Sequence, residues 1–539
     1  MSTWLNRWEP ENPEFWESEG SRVAWRTLAL TTFALIFSFA TWFVPSALVV
    51  RMPAVGFTFT KMQLFWLAAT PGLAGGSLRL IHAFLIPIFG TRLTITVSTF
   101  LKLIPMAWLY YAIQNVPTPD NPGTSFMTFV LIFLLCGFGG GDFSSFMPSS
   151  SLFFPKRLQG TAMGIQAGVG NFGVSLVQFV TPWIVGFAAF GALSGIPQVY
   201  TKADAIKEIT VTKAGGVVTD VVVTKPELAS SLTVKKVGGA VTDVVLKESD
   251  ATRGLKVEVK KDAGGAVTDV QVKKVIKKDM WLQNAAFWYI PFLLIAGVLC
   301  GVFLRSVPIK ASFGQQFDIM KDKHTWFCVV TYFMTFGSFS GFSAAFPLMI
   351  KTIYGDFPGA PDPLKYAFLG PLIGSSIRFL GGPLSDKWGG SIWTQLSGFG
   401  LIGGCLALIF GGLLTPTSLA AFPYFLGVML WIFLMAGVGN FATFRQYPII
   451  FAFSPRQGAQ VLGWTGAWAA FGPFVFSSLI GKSITDTGSA KAFFVGAAVF
   501  YAAATAINWW YYTRLAAERY DFGTWRGTWW DKARDAWPK

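Results

Sequence analysis

Runs of about 20 mostly apolar residues dominate this chain, and such a run has one stable home. It becomes a helix across a lipid bilayer, where every backbone hydrogen bond closes within the segment. Twelve can be drawn, at 26–50, 63–88, 92–113, 126–151, 160–190, 282–304, 326–350, 365–384, 391–414, 422–452, 459–481 and 491–513. Composition agrees: 53% of the 539 residues are hydrophobic and 13% charged, a surface that water could not solvate at this length. The 57 Gly and 29 Pro lie scattered through the apolar segments, which membrane helices allow where neighbours re-satisfy the backbone. Cys136, Cys300, Cys328 and Cys405 sit inside apolar stretches without C-x-x-C spacing, so they read as small core residues rather than as a disulfide or metal framework.

A formal net charge of +15 would suggest nucleic acid in a soluble protein; here it reads as basic loops on one face of a membrane. Arg7, Arg22 and Arg26 precede the first span. Arg92, Lys156, Arg157, Arg305, Lys310, Lys321, Lys323, Lys387, Arg456 and the basic tail fall in alternate loops on that same side. The opposite loops, such as 115–124 and 414–422, carry almost no positive charge. The positive-inside rule therefore predicts a multi-pass protein of the cytoplasmic membrane with both termini in the cytoplasm. The opening MSTWLNRWEPENPEFWESEG is polar and acidic, lacks the short apolar core of a signal peptide, and reads as a cytoplasmic tail.

One polar segment interrupts the pattern. Residues 200–280 hold three imperfect copies of a unit, VTKAGGVVTDVVVTK (211–225), VKKVGGAVTDVVLKE (234–248) and VKKDAGGAVTDVQVKK (259–274). Valines alternating around Gly-Gly predict β-hairpins, and the place between the fifth and sixth spans puts them outside the cytoplasm. The plain expectation for this small external β module is a stable spacer. The predicted organisation is a tail (1–25), an N-terminal bundle with helices one to five (26–199), the module (200–280) and helix six (281–306). A cytoplasmic linker (307–325), a C-terminal bundle with helices seven to twelve (326–514) and a second tail (515–539) complete it.

The two halves repeat each other. GGSLRLI (75–81) matches GSSIRFL (374–380), each with an arginine after small residues, and GGGDFSSFM (139–147) matches GVGNFATFR (437–445). Gly164 and Gly173 are echoed by Gly463 and Gly472. A six-helix repeat of this kind is the layout of transporters built from two related bundles around a central site. After Arg378 comes GPLSDKWGG (382–390), which resembles the G-x-x-x-D-[RK]-x-G signature of the major facilitator superfamily. The resemblance makes Asp386 and Lys387 a conformational latch.

Charges inside the spans need a reason, because a central charge costs about 2.5–3.5 kcal/mol to insert. Arg79, Asp142, Arg378 and Arg445 are the ones singled out: three cations and one acid cannot neutralise each other, so an anionic cargo is expected to supply the missing charge. Arg79 and Arg378, at equivalent places in the two halves, would meet at the midplane. A guanidinium fork suits small oxyanions because it donates two parallel hydrogen bonds. The string G168-V-G-N-F-G173 formally matches a dinucleotide loop, but it lies in a membrane helix. There Gly164, Gly168 and Gly173 are expected to make a close-packing face, with Asn171 and Gln178 as amide donors. LIGKS (479–483) lacks the earlier glycine of a phosphate loop, with Phe476 in its place, so neither an ATP-driven pump nor a cofactor enzyme is expected.

Taken together, these residues resemble the nitrate/nitrite porter family of the major facilitator superfamily. The likeness runs through WEPENPEFW (8–16), LLCGFGGGDFSSFM…FFPK (134–156), GVGNFGVSLVQ (168–178), TFGSFSGFSAAF (335–346) and YAFLGPLIGSSIR (366–378), and spares only 200–280. It implies an all-α fold of twelve helices in two pseudo-symmetric six-helix bundles, usually monomeric. It also implies secondary transport of nitrate and nitrite by alternating access. Arg79 and Arg378 match the family's anion clamp, Asn171 and Tyr332 its hydrogen-bonding asparagine and tyrosine, and Phe143 and Phe336 the aromatics above and below the ion. Gly164, Gly168, Gly170, Asn171 and Gly173 match the family's glycine-rich helix, with Gly170 at the substrate. The second glycine signature, GWTGAWAAFG (463–472), is bulkier than usual at Trp464 and Trp468. Asp142 and Arg445 replace uncharged residues, and the opposite signs lead us to expect a compensating pair. Exchange of nitrate for nitrite, or mixed activity, is the expected mode; proton symport would need a carrier such as Asp142 or His82. A transporter-like sensor and a carrier of another small anion are the rival readings.

Overall fold

The computed structural model describes residues 4–206, 208–249, 252–262, 264–308 and 314–521. Twelve long helical segments are found among them. α1 is Ser21–Leu48. The helical run Lys61–Leu101 opens with a capping box between Thr60 and Gln63 and breaks at Gly90, where φ is 78° and ψ 165°. The break separates α2 (61–89) from α3 (91–112), which continues through Leu103–Ala112. α4 joins Phe126–Gly141 to Phe143–Phe153 through Asp142, and α5 is Lys156–Ile184. α6 (Asn284–Phe303) closes the first half, and α7 (Lys323–Tyr354), α8 (Leu369–Trp388) and α9 (Gly390–Phe410) open the second. α10 (Phe422–Ile450), α11 (Pro455–Ala469 and Gly472–Thr487) and α12 (Lys491–Asn508) follow. The fold is that of a major facilitator: α2 lies along α11 and α5 along α8, and these contacts join the two halves.

Eight stretches are long and apolar enough to cross a membrane on hydropathy alone, one of them spanning α2 and α3 together. α5, α8 and α11 are not among them. They run between the halves and spend their residues on Gly, Ser, Gln and Arg that face protein.

Packing repeats between the halves as well. Gly389, at φ 88° and ψ 149°, breaks α8 from α9 as Gly90 breaks α2 from α3, in a backbone region essentially reserved for glycine. In α4, a Cβ on Gly137 would strike Ala74, and one on Gly139 would lie 2.0 Å from the Ser38 carbonyl oxygen. In α10, Gly437 meets Gly374 and Gly439 meets Thr335 in the same way.

The glycine face of α5 also needs correcting. A Cβ on Gly173 would sit 2.1 Å from the Ile36 carbonyl oxygen, and one on Gly472 would sit 2.2 Å from that of Gly337. These two are packing glycines. Gly164 and Gly463 would meet nothing within 4 Å, and Gly168 only ordinary contact with Phe379 at 3.6 Å. Alanine at 173 or 472 should therefore cost about 1–3 kcal/mol or more by overpacking, while alanine at 164 or 463 should be neutral or slightly stabilising. Thermal unfolding in detergent would measure both classes.

The inserted segment folds as seven strands at the end of the molecule opposite the two chain tails. They are β1 (Gln198–Ala205), β2 (Ile209–Ala214), β3 (Val217–Val223), β4 (Leu232–Val237), β5 (Ala240–Leu246), β6 (Leu255–Lys261) and β7 (Val267–Met280). β2–β3 and β4–β5 are hairpins, while β6 and β1 flank β7. Gly215–Gly216 and Gly238–Gly239 close the first two with positive φ at both positions, as a type I′ turn requires. All three ladders slip at the same place, beside Thr219, Thr242 and Thr268. Each bulge turns a second valine inward, so Val218, Val221, Val241, Val244, Val267 and Val270 form one shared core.

Candidate functional site

α2 delivers Arg79 to the middle of the molecule, where its side chain is fully buried. Gly140 lies in the last turn before α4 is interrupted at Asp142, where helix carbonyls lose their own partners. Its oxygen accepts from Arg79 Nε at 2.7 Å, and the oxygen of Gly466 on α11 accepts from Nη1 at 2.7 Å. The third nitrogen, Nη2, has no hydrogen-bond partner among the described residues. α8 delivers Arg378 from the other half, 7% exposed, with Nε and Nη2 both unpartnered among the described residues.

Aromatic rings bind this pair of cations together. The Arg79 guanidinium lies 4.8 Å from the Phe143 ring centre and 5.1 Å from that of Phe336. Arg378 lies 5.1 Å from the same Phe336 ring and 4.3 Å from Phe339. Phe336 is shared, so twice that first distance is the most that can separate the two guanidinium carbons. Phe143 and Phe336 are stacked at 6.2 Å and 19°, and Tyr332 stacks on Phe336 at 5.6 Å. Cation–π contact holds guanidinium groups without neutralising them. Tyr332 caps, and Phe336 lies within, a π-helical turn, Phe333–Gly337, a distortion frequent at functional sites.

The expected pairing of Asp142 with Arg445 does not form. Asp142 is fully buried in an ion pair with Lys102, the fixed charge that the sequence count missed. Ser98 also donates to it, Ser38 donates at 2.5 Å, and His82 Nδ1 stands 4.0 Å away. His82 bonds Ser145 Oγ at 3.0 Å. Arg445 instead pairs with Asp521, which folds back from the segment after α12 and accepts from the amides of Gly390 and Ser391 at the start of α9. Burial pushes the Asp521 carboxyl up from its ordinary value, against the pull of Arg445 and those amides. The reason is positional: α4 turns its carboxylate into its own half, toward α1 and α3. With both acids spoken for, the cations left over among the described mid-depth residues are the symmetric pair, Arg79 and Arg378.

Other expected residues divide. Asn171 is buried in α5 with its amide nitrogen on Ala167 O at 2.5 Å and its oxygen without a partner among the described residues. Gln178 crosses to the second half, donating to Ser343 O at 2.8 Å. Gly170 is not at the site: its α-carbon faces Leu35, where a Cβ would come within 2.7 Å. Trp464 and Trp468 group with Trp326 away from the arginines, which is how the second glycine helix carries their bulk. Gly466, between them, is the residue that reaches the site and was not singled out. The side chains of Asp386 and Lys387 lie outside the described residues.

Comparison with known proteins identifies relatives of the whole chain. The chain is 48% identical to the probable nitrate/nitrite antiporter NarK2 of Thermus thermophilus, over 96% of this chain and 98% of that one. It is 32% identical to the nitrate/nitrite transporters NarU of Salmonella typhimurium and Escherichia coli, over 95% of this chain and 96% of theirs. No family model matches. Among solved structures, a D-xylose–proton symporter aligns with a TM-score of 0.54 at 13% identity, covering 90% of this chain and 97% of that one, a likeness of fold alone.

Proposed function

The chain belongs to the nitrate/nitrite transporter family of the major facilitator superfamily, and from that premise we propose that it exchanges nitrate for nitrite through a clamp of Arg79 and Arg378. The observation that carries this is the pair of buried guanidinium groups, one from each half, sharing Phe336 and left with unspent N–H groups. A small planar oxyanion would take those N–H groups while Phe143 and Phe336 cover its faces and Asn171 and Tyr332 complete its shell. The chain tails lie in the cytoplasm of a cytoplasmic-membrane protein by the charge of the loops, which makes the module end the outer one.

Alternating access follows from where the charges belong. Each arginine rides on its own half, and without an anion the two repel across a low-dielectric gap. Reorientation of the empty carrier is therefore slow, and a bound anion on either side speeds it. Exchange is the favoured mode because the clamp needs an anion for each passage, while Asp142 is held as a structural hub by Lys102 and two serines within its own half. Proteoliposomes loaded with nitrite should take up labelled nitrate, with a rate that needs internal anion and ignores a pH gradient. Uptake into empty vesicles driven by an inward proton gradient would replace exchange with symport.

A further inference from the structure

A second set of contacts joins the halves at the outer end, and the anion site uses none of it. Arg51, in the connection between α1 and α2, is 8% exposed and holds both carboxylate oxygens of Asp362, at 2.8 and 2.6 Å. Asp362 lies in the connection from α7 to α8, so the pair must part whenever the site opens outward. Beside it, Lys351 at the end of α7 donates to Val50 O at 2.5 Å. The other nitrogen of the Arg51 fork, Nη1, donates at 3.1 Å to the hydroxyl of Tyr200, which is in the inserted module. Arg51 and Lys278 both stand over the Tyr200 ring, at 5.6 and 5.4 Å, and Lys278 is the cross-strand partner of Tyr200.

We propose that Tyr200 is a positioning residue of the outer gate, so that the root of the β module, where β1 and β7 meet beside Arg51, is a working part of the transport cycle while the rest is a spacer. The module moves with the N-terminal half. Its two roots are tied there by Trp281 N to Val185 O at 2.8 Å and by Gln198 Oε1 accepting from Leu282 N at 2.9 Å. Tyr200 therefore stays with Arg51 in both states and holds the guanidinium aimed at the place where Asp362 arrives. A long, rotamer-rich side chain ordered beforehand loses less entropy when the pair closes. Removing the hydroxyl returns that loss to the closing step and shifts the carrier toward its outward-open form.

The inference rests on the transport reading, and the test keeps the two apart by measuring KM separately from each side of oriented proteoliposomes. In Tyr200→Phe, the outer KM should fall and the inner KM should rise, moving their ratio about three- to tenfold, because apparent affinity follows the population of the competent state. Asp362→Asn should move the ratio the same way, and Tyr200→Phe added to it should do nothing more. Excising 203–275 and closing Lys202 to Ile276 through Asn-Gly keeps Tyr200 and Lys278 paired, and should leave the ratio as in the intact protein. Spin labels on cysteines placed at exposed Thr58 and Asp356 should show a larger long-distance population in Tyr200→Phe, whether or not the vesicles transport. An unchanged KM ratio with unchanged distances, or a shift with the trimmed module equal to that of Tyr200→Phe, overturns the role of Tyr200. Intact protein that moves neither anion overturns the transport reading instead.

Discussion

Arg79→Lys should lower kcat/KM for nitrate counterflow by on the order of 10²-fold, although the charge is kept. Arg79 spends Nε on Gly140 O and Nη1 on Gly466 O, and only Nη2 is left for cargo. A lysine has one nitrogen on a flexible stem and cannot reach two fixed carbonyls and an anion at once. Hydrogen bonds to a charged group contribute about 1.5–3 kcal/mol each, and about 2.7 kcal/mol is a factor of 10². Arg378→Lys should fall as far, since Nε and Nη2 of the fork are both unspent there and the contact with Phe339 is lost. Arg445→Lys is the control: it retains Asp521 as a partner and should lose less than tenfold. Activity within tenfold of the native protein for Arg79→Lys would end the clamp reading.

Asp142→Leu should be the most destabilising single change in the N-terminal half, by about 3–5 kcal/mol, because it strands Lys102 as a bare charge with no exposed surface. The same pair need not stabilise the native protein: removing both charges together in Asp142→Asn with Lys102→Met should recover most of the loss, as replacing a whole buried pair is often near neutral. Thermal unfolding in detergent reads both variants. The set also separates two roles. A structural hub predicts a double variant that folds and still exchanges anions, whereas a proton carrier predicts one that folds and has lost all dependence on a pH gradient.

Length and apolarity made the helices legible before any coordinates, because a bilayer leaves a 20-residue apolar run little choice. The arginine pair was legible for the same reason: a fixed charge in such a run has to be explained. Lys102 had the same signal, a lone lysine within LTITVSTFLKLIPMAW, and was passed over in favour of the arginines. Its partner was out of reach of sequence, since pairing with Asp142 depends on how α3 and α4 rotate about their axes. Asp521 was hidden further, in a tail whose return beneath α9 no periodicity announces. The module's hairpins showed in their Gly-Gly turns; the link from Tyr200 to Arg51 joins residues 149 apart and left no trace.

Phe336 gives the site one more property. Both guanidinium carbons stand 5.1 Å from its ring centre, so the gap between two like charges is gauged by a hydrocarbon. A polar spacer would change length with its hydration and rotamer; an aromatic ring has one size. The ring sets an upper limit on how far apart the two guanidinium groups can stand. Under the proposed clamp, an anion small enough to reach both guanidinium groups across that ring would be the one carried.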